Sequence, residues 1–210
     1  MAKLFPQSDC AHSSLHGSVR MLAWTSLGGV GMAIAALTAS ALPTEAVRPP
    51  LSQLYRAQVL RVVDGDTVVV KFVDDGSPNP GSVPTHRLVE LDIAGVDLPL
   101  EAQMQWSYFS GQYLQDRINR QTVYVELIEP PSLDDSIFPA YLWQGNTLIN
   151  EEVLIFGHAI QETEPIDTKY LNELLAAEEV AQKQGRGIWN WYSPLPKTPA
   201  QFREQQGESL

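Results

Sequence analysis

The side chains in this sequence whose types and spacing could do chemistry are carboxylates. Asp64 and Asp66 flank Gly65 in a stretch with turn composition. Asp92 and Asp97 follow on the next apolar segment, and Glu101 lies just beyond. Carboxylates held close together repel unless a cation or protons neutralise them. Convergence of Asp64, Asp66, Asp92 and Asp97 would therefore make a metal-dependent structural site, and the competing reading is four solvated acids at a rim. Other chemistries find less support. His12, His16, His86 and His158 are scattered without metal-ligand spacing, which argues against zinc. Cys10 is the single cysteine, so no intramolecular disulfide forms.

The charge balance narrows the function classes. The formal net charge is −11, and residues 51–192 hold 9 Lys+Arg against 21 Asp+Glu. Binding through nucleic-acid phosphates is driven by counterion release onto clustered Lys and Arg, which this composition does not supply. High-affinity, non-specific nucleic-acid binding is disfavoured, although a local basic groove is compatible with an acidic total.

The elements that must position these acids begin as strands. Tyr55 to Val63 and Thr67 to Val73 are β-rich on either side of Asp64-Gly65-Asp66 and read as a hairpin. Residues 74–84 hold Gly76, Pro78, Pro80 and Gly81 and form a surface loop. His86 to Val96 is a third strand, and Glu101 to Asn119 is helical, with Met104, Tyr108, Gly111 and Leu114 spaced at three or four. Thr122 to Ile128 and Ala140 to Trp143 continue the sheet. Ile149 to Phe156 and Lys169 to Gln184 are helices, the second with a stripe of Tyr170, Leu174, Leu175, Ala177, Val180 and Ala181 that stops at Gly185. This order suits a small closed β-barrel capped by helices.

The flanks differ in character. Residues 1–20 form a leader with Lys3 and Arg20, and Met21 to Leu42 is a 22-residue run without a formal charge. That run is long enough to cross a bilayer, and it ends in Ala39-Ser40-Ala41, a small-x-small pattern of the kind signal peptidase accepts. A cleaved signal peptide and an uncleaved transmembrane anchor both place the following domain outside the cytoplasm. Residues 43–54 read as a linker, and residues 193–210, rich in Pro and Gln, as an extended or disordered tail.

The motif order resembles the staphylococcal nuclease (thermonuclease) family. The residues that carry the resemblance are Val62-Val63-Asp64-Gly65-Asp66-Thr67, Ala94-Gly95-Val96-Asp97-Leu98-Pro99 and Ala140-Tyr141-Leu142-Trp143. Asn150-Glu151-Glu152-Val153-Leu154, Gly157-His158-Ala159 and Ala177-Glu178 leading to Gly187-Ile188-Trp189 complete them. The resemblance implies an α+β fold, a five-stranded OB-fold barrel with about three helices over residues 55–192. It also implies calcium as cofactor, with Asp66 and Asp97 as ligands, the Leu98 carbonyl as a third and Asp64 as an additional acid.

The catalytic positions depart from the family pattern. An arginine is due five residues before Asp97, where Asp92 stands, and a glutamate directly after Pro99, where Leu100 stands. A second arginine is due three residues before Ala140, where Ile137 stands. Arg87 lies five residues before Asp92, an odd offset that puts it on the other face of the strand. Glu101, one residue late, is the remaining candidate general base. Losing one preorganised stabiliser typically costs about 3–4 kcal/mol of transition-state stabilisation.

The leading expectation is therefore an exported or membrane-anchored, catalytically inactive barrel that binds a protein partner, with membrane contact through residues 21–42 if they are retained. Trp106, Tyr108, Tyr113, Trp143, Trp191 and Tyr192 are aromatics such a surface could draw on, though by type most belong in a core. The alternative is a divergent calcium-dependent nuclease acting on DNA or RNA through Asp66, Asp97 and Glu101, with Arg61 or Arg186 as a displaced arginine.

Overall fold

In a computed structural model the chain divides into Met1–Ala39 and Ser40–Leu210. The structure describes residues 45–64, 66–73, 88–129 and 137–207, all in the second unit, with the Asp64 side chain excepted. The expected leader, the run Met21 to Leu42, Gly65, Arg87 and the loop 74–84 lie outside the described residues. Among the described residues no helix is long and apolar enough to cross a membrane.

Period-two burial shapes the barrel wall. In β3 (Leu88–Ile93), Val89, Leu91 and Ile93 are buried while Leu88, Glu90 and Asp92 are not. β1 (Tyr55–Asp64) pairs antiparallel with β2 (Thr67–Phe72), and β2 with β3. On its other edge β1 pairs with β5 (Thr122–Leu127), and β5 with β6 (Ile137–Gln144). β6 returns to β3 in parallel, closing five strands into the order β1-β2-β3-β6-β5. Two register shifts in β1, between Val59 and Arg61 and between Val62 and Asp64, supply the bends that closure needs. The expected five-stranded barrel is the observed one.

Two short pairings complete the sheet structure. β4 (Val96–Asp97) pairs with β8 (Ile160–Gln161), and β7 (Thr147–Leu148) folds back on β6. The third strand therefore does not run through to Val96. It turns at Ala94-Gly95, where Gly95 has φ +75°.

Helix α1 spans Gln105–Ile118, behind a 3-10 turn at Glu101–Gln103 and a break at Met104, whose φ is +59°. Its buried face is Ser110, Leu114 and Ile118, so the stripe read from Met104 and Tyr108 is in fact solvent-facing at those two residues. α2 (Ile149–Ile155) and α3 (Leu171–Gln184) stand where the sequence placed them, with Tyr170, Leu174, Ala177 and Ala181 buried and Leu175 exposed. Gly157 and Gly187 meet backbone to backbone: a Cβ on Gly187 would lie 2.0 Å from the Gly157 oxygen. The Ile188 N–H donates to that same oxygen at 2.8 Å, so neither position admits a side chain.

Both flanks of the barrel are more structured than their composition suggests. Ala46 and Leu54 are buried in the core, and the Ala46 N–H donates to Glu151. The tail, read as extended or disordered, instead forms a fourth helix, α4 (Pro199–Gln206). The Thr198 hydroxyl accepts from the Gln201 N–H at 3.1 Å and the Gln201 side chain accepts from the Thr198 N–H at 3.0 Å. Pro199 occupies the first turn and Gly207, at φ +77°, ends the helix.

Candidate functional site

The turn after β3 gathers the acids. Thr67 pairs with Asp92, and the Asp66 carbonyl accepts from the Ile93 N–H at 2.9 Å, so Asp66 and Asp92 sit at one end of the barrel. Asn150, fully buried, braces the turn: its amide donates to the carbonyls of Ala94 and Ala140, and its oxygen accepts from the Leu142 N–H. β4 then carries Asp97 back to the same end, where it is 8% exposed.

Two further groups, both missed in the sequence, complete this end. Asp97 pairs with Ile160 across β4–β8, and the Glu162 N–H donates to the Gly95 carbonyl at 3.1 Å, which sets Glu162 beside Asp97. From α4, Arg203 donates through Nη1 and Nη2 to the two Asp97 oxygens, at 3.1 and 2.8 Å. The pair is largely shielded, with 25% of the Arg203 side chain and 12% of the Asp97 side chain exposed.

Among the described residues, the electrostatics follow from the Arg203 guanidinium set beside several carboxylates. Burial, then the charge of Asp97, pushes the Asp92 carboxyl above its ordinary value. Burial, then Asp92 and Asp97, does the same to Glu162, against smaller opposing effects of the Gly95 backbone and Arg203. Arg203 is held more firmly protonated by its hydrogen bonds to Asp97 and by the charges of Asp97, Asp66 and Glu162.

The remaining candidates are dispersed. Ile137 begins β6, opposite Glu90, and is 47% exposed. Leu100 is half-buried, its N–H donating to the Gln103 side chain at 2.9 Å. The Leu98 side chain is core. Glu101 is exposed and lines a separate cleft of about 390 Å³ with Val63, Tyr108 and Gln112. Arg61 is exposed on β1, across from Val69. Arg186 donates to the Ile155 carbonyl at 2.7 Å and lies over the Phe156 ring, a structural clip on the end of α2. Trp143, an aromatic that by type belongs in the core more often than at a surface, is buried against Tyr170, with its indole N–H on Glu126.

As arranged, the described residues do not fit a calcium ion. Both Asp97 oxygens are taken by Arg203, and no three carboxylate, imidazole or thiol groups among the described residues stand close enough to hold a metal. Among the described residues Asp97 acts on Asp92, and Asp66 and Asp97 both act on the Arg203 guanidinium.

Comparison with known proteins agrees with the barrel fold. Residues 86–191 match the family model described as Staphylococcal nuclease homologue. A thermonuclease of Staphylococcus hyicus is 24% identical over 138 residues, covering 66% of this chain and 76% of that protein. An uncharacterised protein of Methanocaldococcus jannaschii is 26% identical over 164 residues, covering 65% of this chain and 72% of that protein.

Proposed function

Because the chain belongs to the staphylococcal nuclease homologue family, we propose that it uses a nuclease-type barrel as a non-catalytic, protein-binding module. One observation carries this reading. Asp92, Leu100 and Ile137 stand at the family's three catalytic positions, and Asp97, its second metal position, is closed by Arg203. Replacing two arginines by an aspartate and an isoleucine places added negative charge beside an anionic phosphodiester. The stabilisation of charge in the transition state is then lost at the point where it is needed.

The protein-binding half of the reading draws support from α1. Met104, Tyr108 and Phe109 are 75%, 65% and 62% exposed, an apolar surface that solvation alone does not favour. Phe109 also borders a cleft of about 470 Å³ lined with Trp106, Tyr113, His158 and Ile188. A partner presenting an apolar side chain suits such a surface. The run Met21 to Leu42 supports an extracytoplasmic setting, by export or by anchoring.

The test is direct. The protein is incubated with single-stranded DNA and RNA, with calcium and with EGTA, beside an Asp66→Ala control. No cleavage above that control is the expected result. Calcium-dependent cleavage lost on Asp66→Ala would make this a divergent nuclease with a rearranged site.

A further inference from the structure

We propose that α4 is a built-in replacement for a metal ion at the acidic end of the barrel, with the Arg203 guanidinium as the permanent counter-cation of Asp97. The pairing is too specific for an incidental surface contact. It spans 106 residues of sequence and uses two parallel hydrogen bonds, at 3.1 and 2.8 Å. Asp97, at 8% exposure, has lost most of its water. An arginine fork matches a carboxylate in this way, whereas a lysine supplies only a point charge.

The segment that delivers Arg203 is fastened at each step. The Leu195 N–H donates to the Ile188 carbonyl at 2.7 Å, anchoring the tail to the turn after α3. Gln103, buried in the loop after Asp97, donates to the Lys197 carbonyl at 2.9 Å while accepting from Leu100. The reciprocal Thr198–Gln201 cap then fixes the start of the helix, and Pro199 is buried. Arg203 is thus presented intramolecularly by a short, ordered tether, so no second molecule has to be recruited to Asp97.

A cation seeking Asp97 must displace this group. The charges of Asp66 and Glu162 also act on Arg203, so its field serves the cluster as well as one carboxylate. The consequence is a barrel of nuclease type whose stability is indifferent to calcium. The inference rests on the acidic site described above, but melting temperatures read the ion pair whether or not nucleic acid is cleaved, so the two ideas fail separately.

Thermal melting of the full chain tests it, for the native protein, Arg203→Gln, Asp97→Asn and the double variant, each in EGTA and in millimolar calcium. The native protein should melt at the same temperature in both. Arg203→Gln should melt roughly 4–8 °C lower in EGTA, because it leaves a shielded carboxylate without its partner. Adding Asp97→Asn to that variant should restore part of the loss, since the orphaned charge is then gone. A native protein that calcium stabilises by several degrees overturns the proposal, and that measurement needs no variant. So does an Arg203→Gln protein that melts like the native one, or strictly additive losses in the double variant.

Discussion

Glu152 and Asp97 are each gripped through both oxygens by an arginine, yet their surroundings drive the local electrostatics in opposite directions. Glu152 reaches from α2 to α1. It receives Arg117 Nε at 2.6 Å, Arg117 Nη2 at 2.9 Å and the Tyr113 hydroxyl at 2.6 Å. Burial alone would raise its pKa, but these donors outweigh burial and hold it below the ordinary carboxylate value. At the other site, among the described residues, the Arg203 guanidinium faces Asp97 together with Asp66 and Glu162, and the carboxyls of Asp92 and Glu162 are pushed above their ordinary values, first by burial and then by neighbouring carboxylates. The ratio of donors to acids decides the sign. An arginine and a tyrosine on one acid make a structural anchor, while among the described residues an arginine shared by several acids leaves residual repulsion.

The largest expected effect comes from breaking the first region. Glu152→Ala strips Arg117 and Tyr113 of their common acceptor. It should cost about 2–3 kcal/mol, toward the lower side of values for buried pairs because Arg117 keeps some solvent. The denaturant midpoint should fall with an unchanged slope. Glu152→Gln, which keeps an acceptor, should cost less. If the alanine variant is as stable as the native protein, this cluster is not an anchor and the contrast with Asp97 collapses.

The two regions should also answer acid with opposite slopes. His158 stacks on Tyr113 with ring centroids 4.1 Å apart, and burial lowers its pKa from 6.5 to about 4. Between those values the unfolded chain binds a proton that the folded protein refuses, so stability falls as pH drops through this window and levels off below it. Asp92 and Glu162 are raised, so the folded protein takes up their protons first and their penalty is relieved as pH falls through the folded values. His158→Phe keeps an aromatic ring against Tyr113 and removes the titration. The stability difference between native protein and variant should shrink by about 1–2 kcal/mol from pH 7 to pH 4, partial solvation of the ring limiting the effect. A difference constant with pH would mean that His158 is not held neutral.

The contrast between regions also marks what the sequence discloses. The barrel was legible because alternation, the Asp64-Gly65-Asp66 turn and the Gly157 and Gly187 motifs each encode geometry locally. Asp66, Asp92 and Asp97 were found because hairpin and strand order bring them to one end. Glu162 was not, because it arrives through the two-residue pairing of β8, too short to leave a period. Trp143 was left open for a related reason: Ala140, Tyr141, Leu142 and Trp143 are all buried, so both faces of β6 are covered there and alternation gives no inside. The tail was misjudged by its Pro and Gln content. Thr198-Pro199-Ala200-Gln201 nevertheless holds a capping box with proline at the first turn, and Gly207 supplies the stop. No local rule, however, pairs Arg203 with an aspartate 106 residues away.

The smallest effect sharpens the comparison most, because its sign is reversed. The Asp92 carboxyl is raised first by burial and then by Asp97. A carboxylate in that state opposes folding at neutral pH, so Asp92→Asn should stabilise the protein, by about 0.5–1 kcal/mol given the modest strength of partly solvated charge interactions. The gain should fade as pH falls, because the native carboxyl then protonates and loses its repulsion. It should also shrink in high salt, which screens Asp97 from its neighbour. Chemical denaturation at neutral pH, with and without added salt, measures both. An Asp92→Asn protein less stable than the native one would mean that Asp92 makes a favourable contact at this end of the barrel. The acidic cluster would then be an anchor of the same kind as Glu152 rather than its opposite.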